Sequence, residues 1–272
     1  MKNPAENAML LHAAMSITAP LNNMFQTAEQ MFPILEEMEN ETLQSQMASF
    51  SRAFYQILRA KANMMALYSL ENEVLHPYYE KTELCNFINA IFKKTQSLFQ
   101  TRKIEATLKL PDRMVYAWFD RQKIERAVLN LLGNAFKFTP EGGKVVLMLE
   151  ANYKTAFISV KDNGDGIGPE RLSQIYDNCT RLYALGDPRC GLGAGLNLAK
   201  GYAQLHKGNL LVQSEPDKGT TVIMSLSLVE PSEEEKAIKT PAALVDYTGG
   251  FSHALVEFSD YLPREVFDSR NL

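Results

Sequence analysis

Between residues 121 and 200 the chain sets down, in order, an amphipathic helix with two asparagines, a strand running into a glycine turn, and a glycine triplet before another helix. In "NLLGNAFKFT", Asn130 and Asn134 are four apart and so share one helix face. Carboxamide oxygens are hard neutral ligands, suited to a Mg²⁺ ion that is also held by phosphates. Lys137, near the end of the same helix, offers a point charge to a phosphate. In "VKDNGDGIG", Asp162 ends an alternating strand and opens a turn at Gly164 and Gly166. A carboxylate buried there can accept a hydrogen bond from the exocyclic amine of adenine, while the glycines permit positive φ and close approach. In "RCGLGAGLNLAK", Gly191, Gly193 and Gly195 precede a helix start, where free backbone N–H groups form an anion cradle. Each segment alone has an ordinary alternative: a surface pair of asparagines, a D-N-G turn, or a glycine triplet without a ligand. The order of the three is the strong constraint.

The flanking periodicity predicts where these segments sit. "ELCNFINAIFKKTQSLFQTR" and "DRQKIERAVLNLLGNAFKF" repeat as helices. "GKVVLMLEAN", "TAFISVKD", "GNLLVQSE" and "TTVIMSLSL" alternate and are rich in β-branched residues, as strands do. "GLNLAKGYAQLHKG" reads as a helix closed by Gly208. Together they predict an α+β fold, a sheet with helices on one face.

Completed by "DKGTTVIMSL", this series resembles the Bergerat-type (GHKL) ATP-binding domain, and within that group the sensor histidine kinases, over about residues 77–228. "DRQKIERAVLNLLGNAFKFTPEGGKV" and "LAKGYAQLHKGNLLVQSEPDKGTTVIMSL" carry most of the likeness. The resemblance implies ATP and Mg²⁺ as cofactors and two-component phosphorelay signalling as the setting. It places Asn134 on Mg²⁺ with Asn130 beside it, and Lys137 on phosphate. It places Asp162 on adenine with Gly164 and Gly166 lining the base, Thr220 near the base, and Gly191, Gly193 and Gly195 beneath the phosphates. Hydrolytic members of the wider group, such as gyrase, carry a glutamate where this chain has Asn130. Without that water-activating base, an ATPase of their kind is not expected. The expected lid, "RLSQIYDNCTRLYALGDPR", has Cys179 where an aromatic is usual. Arg181 and Arg189 are candidate phosphate contacts, with a solvated surface as the plainer reading of each.

Ahead of this domain, Leu10, Ala14, Ile17, Leu21, Met24, Ala28 and Met31 follow the alternating four-and-three spacing of a bundle helix. "PILEEMENE" reads as a polar connection, and Leu43, Met47, Phe50, Phe54, Ile57, Met64 and Tyr68 mark a second helix. A hairpin with one apolar face predicts a homodimer through residues 9–70, a dimeric four-helix bundle. In the family this hairpin carries the phosphoacceptor histidine, followed by an acidic residue, with proline five positions after the histidine. Pro20 is present, but the acceptor position is Met15, followed by Ser16. The unbroken seam predicts Pro20 inside one bent helix, at a cost of roughly 3 kcal/mol. His12 is the candidate substitute. It lies ~60° around the helix axis and ~4.5 Å along it from Met15, a poor match for in-line transfer. Two readings therefore stand open. One is a histidine kinase whose acceptor is His12 or a histidine of another protein, with a response regulator as possible partner. The other is an ATP-binding dimeric scaffold or regulator without autophosphorylation.

The expected domains are 1–76 for the hairpin, 77–229 for the ATP-binding domain of the histidine kinase ATPase type, and 230–272 for a linker, "EPSEEEKAIKTPAAL", and a tail apolar enough to dock. Net charge is −4 with both signs interleaved, which gives no nucleic-acid surface. No apolar run approaches the ~20 residues of a membrane span, and there is no signal-peptide pattern. Few residues precede the first helix, so no N-terminal sensor domain is expected. Input would come through partners or the tail. Cys85, Cys179 and Cys190 lack metal-ligand spacing and read as reduced thiols of a cytoplasmic protein. His206 reads as structural.

Overall fold

The structure, a computed structural model, describes residues 16–37, 40–173, 175, 194–237 and 246–268. The chain divides into two compact units, Met1–Glu73 with Ser259–Leu272, and Val74–Phe258.

The first unit is built on α1 (Thr18–Glu37) and α2 (Glu41–Glu71). Helical structure is interrupted by a turn at Ile17, and α1 starts at Thr18. Pro20 thus sits in a first turn, where its missing N–H has no intrahelical partner to lose. The stretch ahead of Ser16, where a bend in one continuous helix would show, lies outside the described residues. The expected connection at "PILEEMENE" is also revised, because α1 runs through Pro33 to Glu37. Glutamate, leucine and isoleucine do not stop a helix. The decisive signal is Asn40, whose side chain accepts from Thr42 and Leu43 N–H and so caps α2.

The predicted seam on α1 divides. Leu21 and Ala28 are buried with Phe25. Phe25 stacks on Phe54 at 4.2 Å between centroids and meets Tyr55 edge-on at 6.2 Å. Ile17, Met24 and Met31 stay 44%, 53% and 48% exposed. On α2 the buried stripe is Ala48, Ser51, Tyr55, Leu58 and Ala62, while Ile57 and Met64 are exposed. Leu10 and Ala14 lie outside the described residues. The last stretch of the chain docks on α2 within this unit. Arg59 pairs with Asp260. Arg52 donates to the Ser259 and Asp260 carbonyls at 3.3 and 3.1 Å. Phe267 packs on Tyr55 at 5.4 Å.

The second unit begins with β1 (Glu80–Glu83), α3 (Leu84–Gln100), β2 (Glu105–Lys109), β3 (Tyr116–Phe119) and α4 (Arg121–Phe138). It continues with β4 (Lys144–Ala151), β5 (Thr155–Asp162), a short α5 (Pro169–Ser173) and α6 (Ala194–Leu205). After β6 (Leu210–Glu215) and β7 (Gly219–Ser227) come α7 (Glu233–Ala237) and α8 (His253–Phe258). The main sheet has the order β2-β4-β5-β7-β6, with only β2–β4 parallel; β1 and β3 form a separate antiparallel pair. β1, β2 and β3 are short and went unforeseen, because four or five residues are too few for alternation to register. The expected linker contains α7, held by Lys236 over the Trp118 ring at 4.4 Å.

Register makes the core legible. Leu149, Ile158, Met224 and Leu210 stand opposite one another across four strands, and Leu147, Val160, Val222 and Val212 form the next row. These rows face α3, α4 and α6. α4 is fixed at both ends. Asp120 caps its start by accepting from Lys123 N–H. Arg102 donates to the Phe136 and Thr139 carbonyls at its end, at 2.5 and 3.0 Å, a cation where the helix dipole favours one. At the end of α6 the left-handed residue is Lys207, with φ of 56°, rather than the expected Gly208. Gly208 is required for another reason: a Cβ there would lie 1.8 Å from the Ser225 carbonyl oxygen.

His206 is buried, as its structural reading requires. Its Nδ1 donates to the Tyr202 carbonyl at 2.6 Å, so Nε2 accepts the Asp120 N–H at 2.9 Å. Burial lowers its pKa from 6.5 to about 4. The unfolded chain therefore takes up the proton first. Stability from this group is full above pH 6.5 and is lost as pH falls toward 4, by about 3 kcal/mol in all. An NMR titration, with the signal assigned through His206→Gln, should show an imidazole neutral to near pH 4. A midpoint at 6.5 would refute this account.

Candidate functional site

Below the two apolar rows, the inner face of the sheet continues with a third: Val145, Asp162, Thr220 and Ser214. The two-residue period of β5 places Asp162 on the same face as Ile158 and Val160. The carboxylate is buried for that reason. Its Oδ1 accepts the Gly164 N–H at 2.9 Å and the Thr220 N–H at 3.1 Å. Among the described residues, Oδ2 has no hydrogen-bond partner. Burial pushes the carboxyl pKa upward, against the two N–H donors. The result is a fixed acceptor with one oxygen committed to the protein and the other left for a donor.

Ser214 was not foreseen. Its hydroxyl accepts from Ile167 N–H at 2.8 Å, donates to the Gly219 carbonyl at 3.0 Å and meets Thr220 Oγ1 at 2.8 Å. It joins the glycine turn after Asp162 to Thr220 on β7. Alternation along β6 holds the available signal, since Ser214 shares a strand face with Leu210 and Val212.

The predicted glycines are needed by the protein's own backbone. A Cβ on Gly164 would lie 2.2 Å from the Phe138 carbonyl oxygen, and one on Gly166 would lie 2.0 Å from that of Glu215. Gly166 also has φ of 68°, and Gly219, with φ of 91°, is crossed by the Asp162 carbonyl. The first of these contacts sets the end of α4 beside the Asp162 turn.

On α4, Asn130 is 1% exposed while Asn134 and Lys137 are half-buried. Asn130 Nδ2 donates to the Arg126 carbonyl at 2.9 Å. Its Oδ1 is buried without a partner among the described residues. That oxygen faces the start of α6 so closely that a Cβ on Gly195 would meet it at 2.4 Å. The structure thus brings Asn130 to Gly195, and Asp162 to Gly164, Thr220 and Ser214. Gly191, Gly193, His12, Met15, Cys179, Arg181, Cys190 and Arg189 lie outside the described residues. Cys85 is a free, partly buried thiol.

An orphaned carboxamide oxygen, a second asparagine one turn on and a lysine beyond it suit a cation that shares its coordination with phosphates. The residues present therefore fit a Mg²⁺–nucleotide.

Residues 119–230 match the family of histidine kinase-, DNA gyrase B-, and HSP90-like ATPases. The sensor histidine kinase WalK of Bacillus subtilis is 32% identical over 162 residues, covering 57% of this chain and 26% of WalK. The sensor histidine kinase RppB of a Synechocystis species is 25% identical over 80% of this chain and 48% of its own length. The chain spans only part of the curated relatives it matches, 26% of WalK and 48% of RppB. In fold, the chain resembles full-length ShkA, solved in complex with AMPPNP, with a TM-score of 0.67 and 19% identity over 85% of this chain and 47% of that one. It also resembles the Acinetobacter baumannii histidine kinase AdeS, with a TM-score of 0.54 and 19% identity over 77% of this chain. Residues 119–230 therefore carry an ATPase domain of the histidine kinase-, DNA gyrase B- and HSP90-like kind, and the chain is similar to sensor histidine kinases.

Proposed function

We propose that the chain binds Mg·ATP at this site and transfers the γ-phosphoryl group to a protein histidine, as part of a cytoplasmic two-component system. The observation that carries the reading is Asp162: a buried carboxylate with Oδ1 held by two backbone N–H groups and Oδ2 left to accept the adenine amine. Thr220 lies beside it, with Gly164 and Gly166 shaping the turn under the base. Asn134, with Asn130, would hold Mg²⁺, which when bound neutralises phosphate charge. Lys137 and the N–H groups at Gly191, Gly193 and Gly195 take the phosphates. In the transfer, a histidine nitrogen forms a bond to the γ-phosphorus as the β–γ bridging P–O bond breaks. ADP leaves with that electron pair, and a response regulator is the natural next acceptor.

A second reading rests on one residue. Met15 stands where the family places its acceptor, and a chain without that histidine would act as an ATP-binding scaffold or regulator. On the first reading, wild-type protein incubated with Mg²⁺ and γ-labelled ATP gains acid-labile label that His12→Ala removes or that appears on a partner's histidine. The second reading predicts tight ATP binding without label. In either case Met15→His with Ser16→Glu should gain acid-labile label, and adding Asn134→Ala should abolish it together with Mg·ATP binding. Calorimetry showing unchanged binding in Asn134→Ala would overturn the site assignment.

The same proposal includes a homodimer through residues 9–70. Ile17 just ahead of α1 with Met24 and Met31 on it, and Ile57 and Met64 on α2, form exposed apolar stripes at seven-residue spacing. Light scattering at micromolar concentration should give a dimer, and Met24→Asp with Ile57→Asp should give a folded monomer. A wild-type monomer would contradict it.

A further inference from the structure

Residues 246–258 lie beyond the span of the matched ATPase domain, yet they are integrated into the nucleotide unit. Phe258 packs between Phe99 and Phe136, at 6.0 and 5.6 Å between ring centroids. Ahead of it, Asp246 organises a turn by accepting from Thr248 N–H, Thr248 Oγ1 and Gly250 N–H. His253 bridges Asp246 and Glu125 on α4, at 2.9 and 3.0 Å.

The central contact is a buried ion pair. Glu257 is 0% exposed and accepts from Arg126 Nε at 2.8 Å. Arg126, also buried, donates from Nη1 to the Tyr202 hydroxyl on α6 at 3.3 Å, and its guanidinium lies over the Tyr247 ring at 4.4 Å. Arg126 belongs to the turn whose carbonyl orients Asn130. Tyr202 belongs to the helix whose start, at Gly195, faces Asn130 Oδ1. One C-terminal carboxylate is therefore joined, through one guanidinium, to both helices that frame the phosphate end of the site.

We propose that Glu257 is a positioning residue for the nucleotide site. By neutralising Arg126 it holds α4 and α6 at the spacing that sets Asn130 against Gly195, so docking of residues 246–258 and nucleotide binding are linked. The inference rests on the nucleotide reading above. A buried guanidinium deprived of this carboxylate draws in water or rotates, and either response loosens the α4–α6 contact through Tyr202. Linkage is reciprocal: if the docked segment raises nucleotide affinity, bound nucleotide must stabilise the docked segment by the same factor.

Hydrogen exchange read by mass spectrometry on the full chain, with and without Mg·ATP, tests both statements at once. Amides 160–168 report nucleotide binding itself, and amides 250–258 report docking. Both should slow with Mg·ATP, the second set by on the order of tenfold. Glu257→Gln, nearly isosteric, should weaken Mg·ATP by a similar factor while circular dichroism shows a folded chain. Arg126→Met with Glu257→Leu, which removes both buried charges, should recover part of the loss. Slowing at 160–168 without slowing at 250–258 would overturn the linkage and leave the nucleotide reading intact, as would unchanged affinity in Glu257→Gln. No slowing in either set would overturn both.

Discussion

A carboxylate on the inner face of a sheet is costly unless hydrogen bonds replace its lost hydration, and Asp162 meets that condition by half. Two backbone N–H groups, from Gly164 and Thr220, satisfy Oδ1. Much of the local structure follows from keeping those two donors in place. Gly164 must lack a side chain because the end of α4 passes against it, and Gly219 because the Asp162 carbonyl does. Ser214 spans from Ile167 to Thr220 and fixes the distance between the turn and β7. The glycine signature of this chain is first a signature of backbones crossing at close quarters. On the proposed reading, the adenine would take the space that the crossings leave open.

The other end of the proposed site, at α4 and α6, obeys a different constraint. There the decisive feature is a helix, α4, anchored at its start by Asp120, at its end by Arg102 and along its flank by the C-terminal Glu257. Asn130 can present a buried oxygen, unpartnered among the described residues, to the start of α6 because the helix that carries it is held on several sides. Rigid support of this kind is what a site needs if it is to hold a metal–phosphate group with little rearrangement.

Legibility in the sequence tracked the range of the interaction. The long helices and the four long strands of the main sheet were readable because their periods repeat, and Asp162 was readable as a strand end followed by glycines. Gly195 was readable as a helix start, but its contact with Asn130 depends on how α4 and α6 pack, which periodicity does not specify. Ser214 was hidden for a related reason, since its three partners lie on a loop and a neighbouring strand. β1, β2 and β3 were too short to show a pattern. Polarity alone does not mark the end of α1, which runs to Glu37; the informative residue is the cap at Asn40. The tail was recognisable as too apolar to be loose, but the partners of Glu257 and Asp260 are Arg126 and Arg59, far away along the chain.

The central claim is that Asp162 recognises the base by accepting a hydrogen bond from its exocyclic amine. Calorimetric titration with Mg·ATP and with Mg·inosine triphosphate tests it directly, because inosine carries a carbonyl where adenine carries the amine. The account predicts clear preference for ATP, with a loss on the order of tenfold or more for the inosine nucleotide, as expected when a buried acceptor loses its donor. It also predicts that Asp162→Asn removes most of that preference. Equal affinity of the wild-type protein for the two nucleotides would contradict it.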